Sequence, residues 1–285
     1  MPKLTALALI EINISDAAAA KIASMGRLKL LDLRACPRIT NVGLAGVASM
    51  KSLRTLRLRG YNINDKTLAI AGKLTSLTGL TLDDAGISDA WMSQLKRLPL
   101  EDFSLFRCYS VTDNGLACLQ NFTNLRLLTL RDMPLMGTCL AGLRGKKKLA
   151  TLVLSETGVS DESLQNLVGL DSLARLELRQ VLVRDVGMET IATLKNLRRL
   201  DLDNTRITNR PSSDPKHPKG LACLAALPRL EHLSLKLCVE VTDDVVPLLG
   251  RLKGLRTLSV TQSGISSEGV KRLSEMLPNC RIDRP

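Results

Sequence analysis

Leucine recurs along this chain in one repeated arrangement. The motif L-x-x-L-x-L begins at Leu4, Leu28, Leu53, Leu77, Leu100, Leu125, Leu149, Leu173, Leu197, Leu230 and Leu255. Successive starts lie 23 to 25 residues apart, except for a step of 33 between Leu197 and Leu230. Only Phe103 and Val260 replace leucine in these positions. Ten or eleven residues after each start stands an aliphatic residue, from Ile14 and Ile39 to Val241 and Ile265. A polar pair such as Ser15-Asp16, Ser160-Asp161 or Thr242-Asp243 usually follows. Apolar residues spaced by three come next, as in Leu116 and Leu119, or Leu164 and Leu167.

The alternating leucines predict a short strand with one buried face. The Asp or Asn after the aliphatic residue is suited to cap a helix start, since its oxygen accepts an orphan backbone N–H. The apolar spacing beyond it predicts a short helix. One such unit cannot hide its leucines alone, whereas stacked units pair their strands into a parallel sheet. The expected fold is an α/β right-handed solenoid, a horseshoe with the sheet on its concave face and helices on its convex face. Residues 1–285 are read as a single domain of eleven repeats, one for each start.

Three repeats carry a cysteine three residues after their last leucine: Cys36, Cys108 and Cys238. In these three the aliphatic residue comes at offset eleven, so the turn holds one extra residue. We expect the thiol to turn inward, as a small buried hydrophobe with a weak S–H donor. The stretches LDLRACPRITNVGLAGVA (31–48) and FSLFRCYSVTDNGLACL (103–119) resemble the cysteine-containing class of leucine-rich repeats, found in the substrate-binding halves of F-box proteins and in bacterial repeat proteins. The ending GVKRLSEMLPNCRIDRP (269–285) is similar to the terminal repeat of bacterial members. The resemblance covers essentially the whole chain and implies a recognition surface. The repeats open at Leu4, so no F-box is expected, and most repeats lack the cysteine.

The step of 33 marks an insertion, RPSSDPKHPKG (210–220), rich in proline and devoid of bulky apolar residues. It is expected to protrude as a loop at the rim of the sheet, either as a tolerated extension or as a side wall for a ligand. Leu4, Leu7 and Leu9 start the first repeat with no polar cap before them, so that end is expected to dock on a partner or a missing domain. At the other end Cys280-Arg281-Ile282 can add a last short strand.

Hydrophobic residues make up 45% of the 285 residues, but aromatic ones only 2%, consistent with a core filled by leucine. No stretch approaches the ~18 apolar residues of a membrane helix, so no membrane insertion is expected. The seven cysteines show no CxxC spacing, which favours reduced thiols and a cytoplasmic location, or a secreted or envelope location if a longer precursor exists. Only two histidines occur, His217 in the insertion and His232 on a strand, and neither has a metal-ligand pattern around it. No phosphate loop, nucleophile elbow or dinucleotide fingerprint is present. We therefore expect no enzyme, no metal and no cofactor.

Formal net charge is +12. On the strand positions that project outward we count fourteen basic and twelve acidic residues, so most of the excess lies on helices, loops and ends. The sign alternates along the strand face, which suits a protein with complementary patches better than a phosphate backbone, which needs a continuous basic track. Partner contacts are expected at Arg34, Arg54, Arg57, Arg59, Phe106, Arg131, Arg175, Arg179, Arg199, His232 and Lys236. Phe106 is the one aromatic in an outward slot, a candidate hot spot or a ring lying against neighbouring strands. For each arginine singly, a solvated charge with a lateral aspartate partner is the competing reading. The expected function is a non-catalytic protein-interaction scaffold. One alternative is a subunit of a ribonucleoprotein or other nucleic-acid assembly, held through basic residues such as Lys146, Lys147 and Lys148. Another is the recognition half of a ubiquitin-ligase adaptor or secreted effector.

Overall fold

The computed structural model describes residues 3–208 and 220–283. Apart from Gly220, the proline-rich insertion lies outside the described residues, as does His217. The chain packs into two compact units, Met1–Pro134 and Leu135–Pro285.

In the first unit six parallel strands pair in chain order: β1 (Ala6–Ala8), β2 (Leu30–Arg34), β3 (Thr55–Arg59), β4 (Gly79–Asp83), β5 (Asp102–Phe106) and β6 (Leu127–Arg131). In the second, β7 (Thr151–Val153), β8 (Arg175–Glu177), β9 (Arg199–Asp201), β10 (His232–Ser234), β11 (Thr257–Ser259) and β12 (Arg281–Asp283) do the same. The short terminal strand foreseen around Ile282 is thus present. Equivalent motif positions fall opposite one another, as in Leu31↔Leu56 and Leu176↔Leu200. The leucines therefore stack into buried files, a register the alternating pattern enforces, because a slip of one residue would turn each file outward. Leu4, Leu7 and Leu9 of the first repeat remain half-exposed.

The second layer is helical: α1 (Asp16–Ala23), α2 (Asn41–Leu44), α3 (Asp65–Ala71) and α4 (Asp89–Met92) in the first unit, and α5 (Asp161–Leu164), α6 (Gly187–Ile191), α7 (Val246–Leu249) and α8 (Ser267–Met276) in the second. Among the described residues, three repeats depart from the expected helix and show only 3-10 turns, at Gly115–Asn121, Thr138–Leu143 and Gly220–Ala226. A 3-10 turn rises about 2.0 Å per residue against 1.5 Å for an α-helix, so it bridges a short connection with fewer residues. None of the helices among the described residues is long and apolar enough to cross a membrane.

Within each unit, two devices join one repeat to the next. The first lies at the end of the strand, eight residues into every motif. There the backbone enters the left-handed region, as at Glu11, Ala35, Asp84, Arg107, Gln180, Asn204 and Leu237. This directs the N–H at the carbonyl of the next repeat: Asp84 N donates to Phe106 O, and Gln180 N to Asp203 O. Glycine occupies the position only at Gly60.

The second device corrects the expected role of the aspartates. They do not cap their own helices; the side-chain caps observed come from the residue just before a helix, as where Thr40 Oγ1 accepts from Val42 N, and Asn64, which accepts from Lys66 N at 3.1 Å, fills the role expected of the asparagine. Each carboxylate instead reaches forward. Asp16 accepts from Thr40 N and Thr40 Oγ1, both at 2.7 Å, and Asp89 accepts from Thr112 N and Oγ1 at 2.7 and 2.6 Å. Asp65, Asp185 and Asp243 make the same clasp to Ser88, Thr208 and Ser266. The first turn of a helix faces the next repeat, so its carboxylate lies nearer to the neighbour's free N–H groups than to its own. The small residues Gly43, Gly115, Gly187 and Gly269 make room, because a Cβ there would overlap the clasping carboxylate.

The inward turn expected of the cysteines is observed. Cys36, Cys108 and Cys238 are buried, and Cys36 Sγ lies 3.1 Å from Leu9 O and Cys238 Sγ 3.2 Å from Leu202 O. Burial pushes the Cys108 thiol up to about 11.

Candidate binding face

Strand side chains that do not enter the core form rows across neighbouring strands. In the first unit one row runs Arg34, Arg59, Asp83, Phe106, Arg131. Parallel to it, two residues earlier, lie Asp32, Arg57, Thr81, Ser104 and Thr129. The structure therefore brings Arg34, Arg57, Arg59, Phe106 and Arg131 together, while Arg54 stands at the rim before β3 and donates to Ser76 O at 3.0 Å.

These arginines are held laterally. Arg34 grips both oxygens of Asp32, with Nε to Oδ1 at 2.9 Å and Nη2 to Oδ2 at 2.8 Å, and Arg57 Nη1 approaches the same carboxylate at 3.8 Å. Asp32 is 2% exposed, so it is a buried anchor and not part of the contact surface. Arg59 Nε lies 2.8 Å from Asp84 and 3.5 Å from Asp83, and Arg107 clamps the same two aspartates. Burial pushes Asp83 up, whereas hydrogen bonds from Arg107 hold Asp84 below its ordinary value. The Phe106 ring is half-buried in its row, beside Asp83 and Arg131. The most exposed rings of this unit are elsewhere, Tyr61 at 79% and Tyr109 at 56%, in the turns after β3 and β5. Their turn positions gave no periodic signal.

In the second unit Arg175, Arg199 and His232 share one row, followed by Thr257 and Arg281. Arg175 pairs with Glu177, Arg179 with Asp201 at 2.7 Å and Asp203 at 3.8 Å, and Lys236 with Asp283 at 3.6 Å. His232 Nδ1 shares a 2.7 Å hydrogen bond with Thr257 Oγ1, and burial, followed by the Arg199 charge, holds its ring below the usual value. Arg198, Arg229 and Arg256 lie beside this row, and neither they nor Arg281 were among the contacts expected from the sequence. Grouping by motif position instead of by repeat would have shown them. At the other rim Leu182, Val186, Leu237 and Val239 line an open groove of about 870 Å³.

The basic run after the Thr138–Leu143 turn is not a wholly solvated corner. Lys146 is only 6% exposed, and burial depresses its ammonium. This removes one of the three lysines from the surface that a nucleic acid was expected to touch.

The repeated strand, turn and helix, with equivalent leucines in register, decides the architecture. The fold is that of a leucine-rich-repeat protein. No protein-family model matches the sequence. Antagonist of mitotic exit network protein 1 of Eremothecium gossypii is 30% identical over 119 residues, 38% of this chain. The match spans 30% of that relative's length. Among solved structures, the leucine-rich-repeat chain is similar to an internalin, inlF, of Listeria monocytogenes, with a TM-score of 0.69 and 18% identity over 99% of this chain and 87% of that one. It is also similar to the yeast Rad7 and Elc1 complex, with a TM-score of 0.59 and 18% identity over 98% of this chain and 80% of that one. At such identities the likeness speaks for the fold.

Proposed function

We propose that this leucine-rich-repeat protein is a non-catalytic recognition module that binds a protein partner through its strand face. The observation that carries the reading is the anchoring of that face. Its arginines project from a rigid sheet and are aimed by carboxylates buried beneath them, as Arg34 and Arg57 are by Asp32. A side chain fixed in this way loses little conformational entropy on binding, and arginine is favoured at the centre of interfaces. Mixed charge along the first unit suits complementary patches on a protein. The neighbour solved as a complex of Rad7 and Elc1 lends support.

The test is affinity capture with intact protein, compared with the Arg57→Glu/Arg59→Glu variant. We expect a specific partner whose recovery falls at least tenfold in the variant. Unchanged recovery of every partner would overturn the strand face of the first unit as the site.

A further inference from the structure

The second unit separates its charges by row. The row Arg175, Arg199, His232, Thr257, Arg281 is basic, and the row two residues further along the strands, Glu177, Asp201, Ser234, Ser259, Asp283, is acidic. On the far side of the basic row, Arg198, Glu231 and Arg256 sit side by side, with Glu231 N bonded to Arg198 O and Arg256 N to Glu231 O. The turns beneath add Lys195, Arg229 and Lys253 against Asp171. Apart from Arg175, which pairs with Glu177, the positive charge of this edge is not neutralised in place. Glu231 alone serves Arg198 at 2.9 Å and Arg256 at 3.9 Å, and Arg229 bonds the neutral Asn196 at 2.7 Å. Among the described residues Arg199 and Arg281 have no acidic partner. The Arg198 and Arg256 side chains are 55% and 74% exposed, and with Arg229 and Glu231 they line an open depression of about 520 Å³.

We infer that this edge, at the N-terminal ends of β8 to β12, docks an acidic segment of a protein partner, a run of aspartates and glutamates in extended conformation. The inference rests on the recognition reading above and names the chemistry of its partner. The acidic row narrows the choice of polyanion. It lies roughly 7 Å from the basic row, two residues at about 3.3 Å each. A nucleic acid needs a continuous basic track, and here Glu177, Asp201 and Asp283 neutralise Arg175, Arg179 and Lys236, so uncompensated positive charge is confined to one narrow edge. A single extended peptide occupies about 4.8 Å of width. It fits the basic row alone.

The experiment measures fluorescence anisotropy of a labelled twelve-residue peptide of alternating glutamate and serine, titrated with the full chain. A single-stranded oligonucleotide of equal charge serves as the competing probe. We expect saturable, salt-sensitive binding of the peptide and weaker binding of the oligonucleotide. Arg199→Glu and Arg256→Glu should each reduce peptide affinity roughly tenfold, while Lys73→Glu, at an exposed position of the other unit, leaves it unchanged. Amide shifts of the unmodified protein supply a readout independent of any variant: the peptide should move Arg199, His232 and Thr257 and spare β2 to β5. Tighter oligonucleotide binding, equal losses in all three variants, or shifts spread over both units would overturn the inference. The recognition reading fails separately. Capture lost at Arg57 and Arg59 but indifferent to Arg199 and Arg256 would sink only the acidic dock, and capture indifferent to both pairs would sink the strand face.

Discussion

Leu237 shows what the repeat demands of a single residue. Its φ of 61° lies in the left-handed region, which crowds the Cβ of any L-residue. The conformation persists because Leu237 N must reach Thr261 O across the repeat boundary, at 3.1 Å. Glycine accepts this backbone without a clash, and its added freedom in the unfolded chain offsets only part of the relief. Leu237→Gly should therefore stabilise the protein by about 0.5–1 kcal/mol, and Leu237→Val should destabilise it, because branching at Cβ worsens the crowding. Denaturant midpoints of the two variants test the pair; shifts of the same sign would refute the explanation. Nothing in the sequence marked this position, because Glu, Ala, Asp, Arg, Gln, Asn and Leu all occupy it. The constraint acts on the backbone and leaves the side chain free to vary.

The helical layer is where local reasoning was incomplete. Asp after Ser or Thr was legible as a helix-start signal, but the helix it serves belongs to the next repeat, and sequence spacing alone does not reveal a contact made 23 or 24 residues away. The clasp explains two departures from ordinary propensity. Gly115 opens a 3-10 turn, where alanine would normally be favoured, yet Gly115→Ala should destabilise by about 1–3 kcal/mol because its methyl group displaces Asp89. Asp161 meets Arg184 N at 2.8 Å but finds no hydroxyl, since Arg184 stands where Thr or Ser stands elsewhere, and burial holds this carboxyl above its ordinary value. Arg184→Thr should complete the clasp and add about 1 kcal/mol. Thermal melting of both variants checks the signs, and a neutral Arg184→Thr would mean that the hydroxyl contributes nothing.

At the scale of the whole molecule, two of the clasps contribute to the response to acid. Asp16 and Asp243 are held below the carboxylate value of 3.8 by hydrogen bonds from the Thr40 and Ser266 hydroxyls, then by the backbone N–H groups of the same residues. A carboxylate whose folded value is depressed stabilises the fold fully above its unfolded value, and the contribution disappears as pH falls through the folded one. The Asp16→Asn/Asp243→Asn variant should thus melt below the unmodified protein at pH 7 and approach it below pH 3. A gap in melting temperature that stays constant with pH would exclude the linkage. At this scale the architecture was readable from the leucines, whose burial admits few arrangements. The surface was less so. Fourteen basic against twelve acidic residues suggests an evenly mixed face, and only the pairing of strands shows that Asp32, Asp201 and Asp203 are sunk beneath arginines while Arg199 and Arg281 stand clear.

The forward reach of the aspartates gives each stack a polarity. Shortening a unit from its C-terminal side strands a carboxylate that water can readily hydrate. Shortening it from the N-terminal side leaves the next helix with amide groups and a hydroxyl deprived of their acceptor, at a helix start where such groups have no internal partner. Deletion series from the two directions should therefore lose cooperativity at different rates, with the N-terminal series failing first.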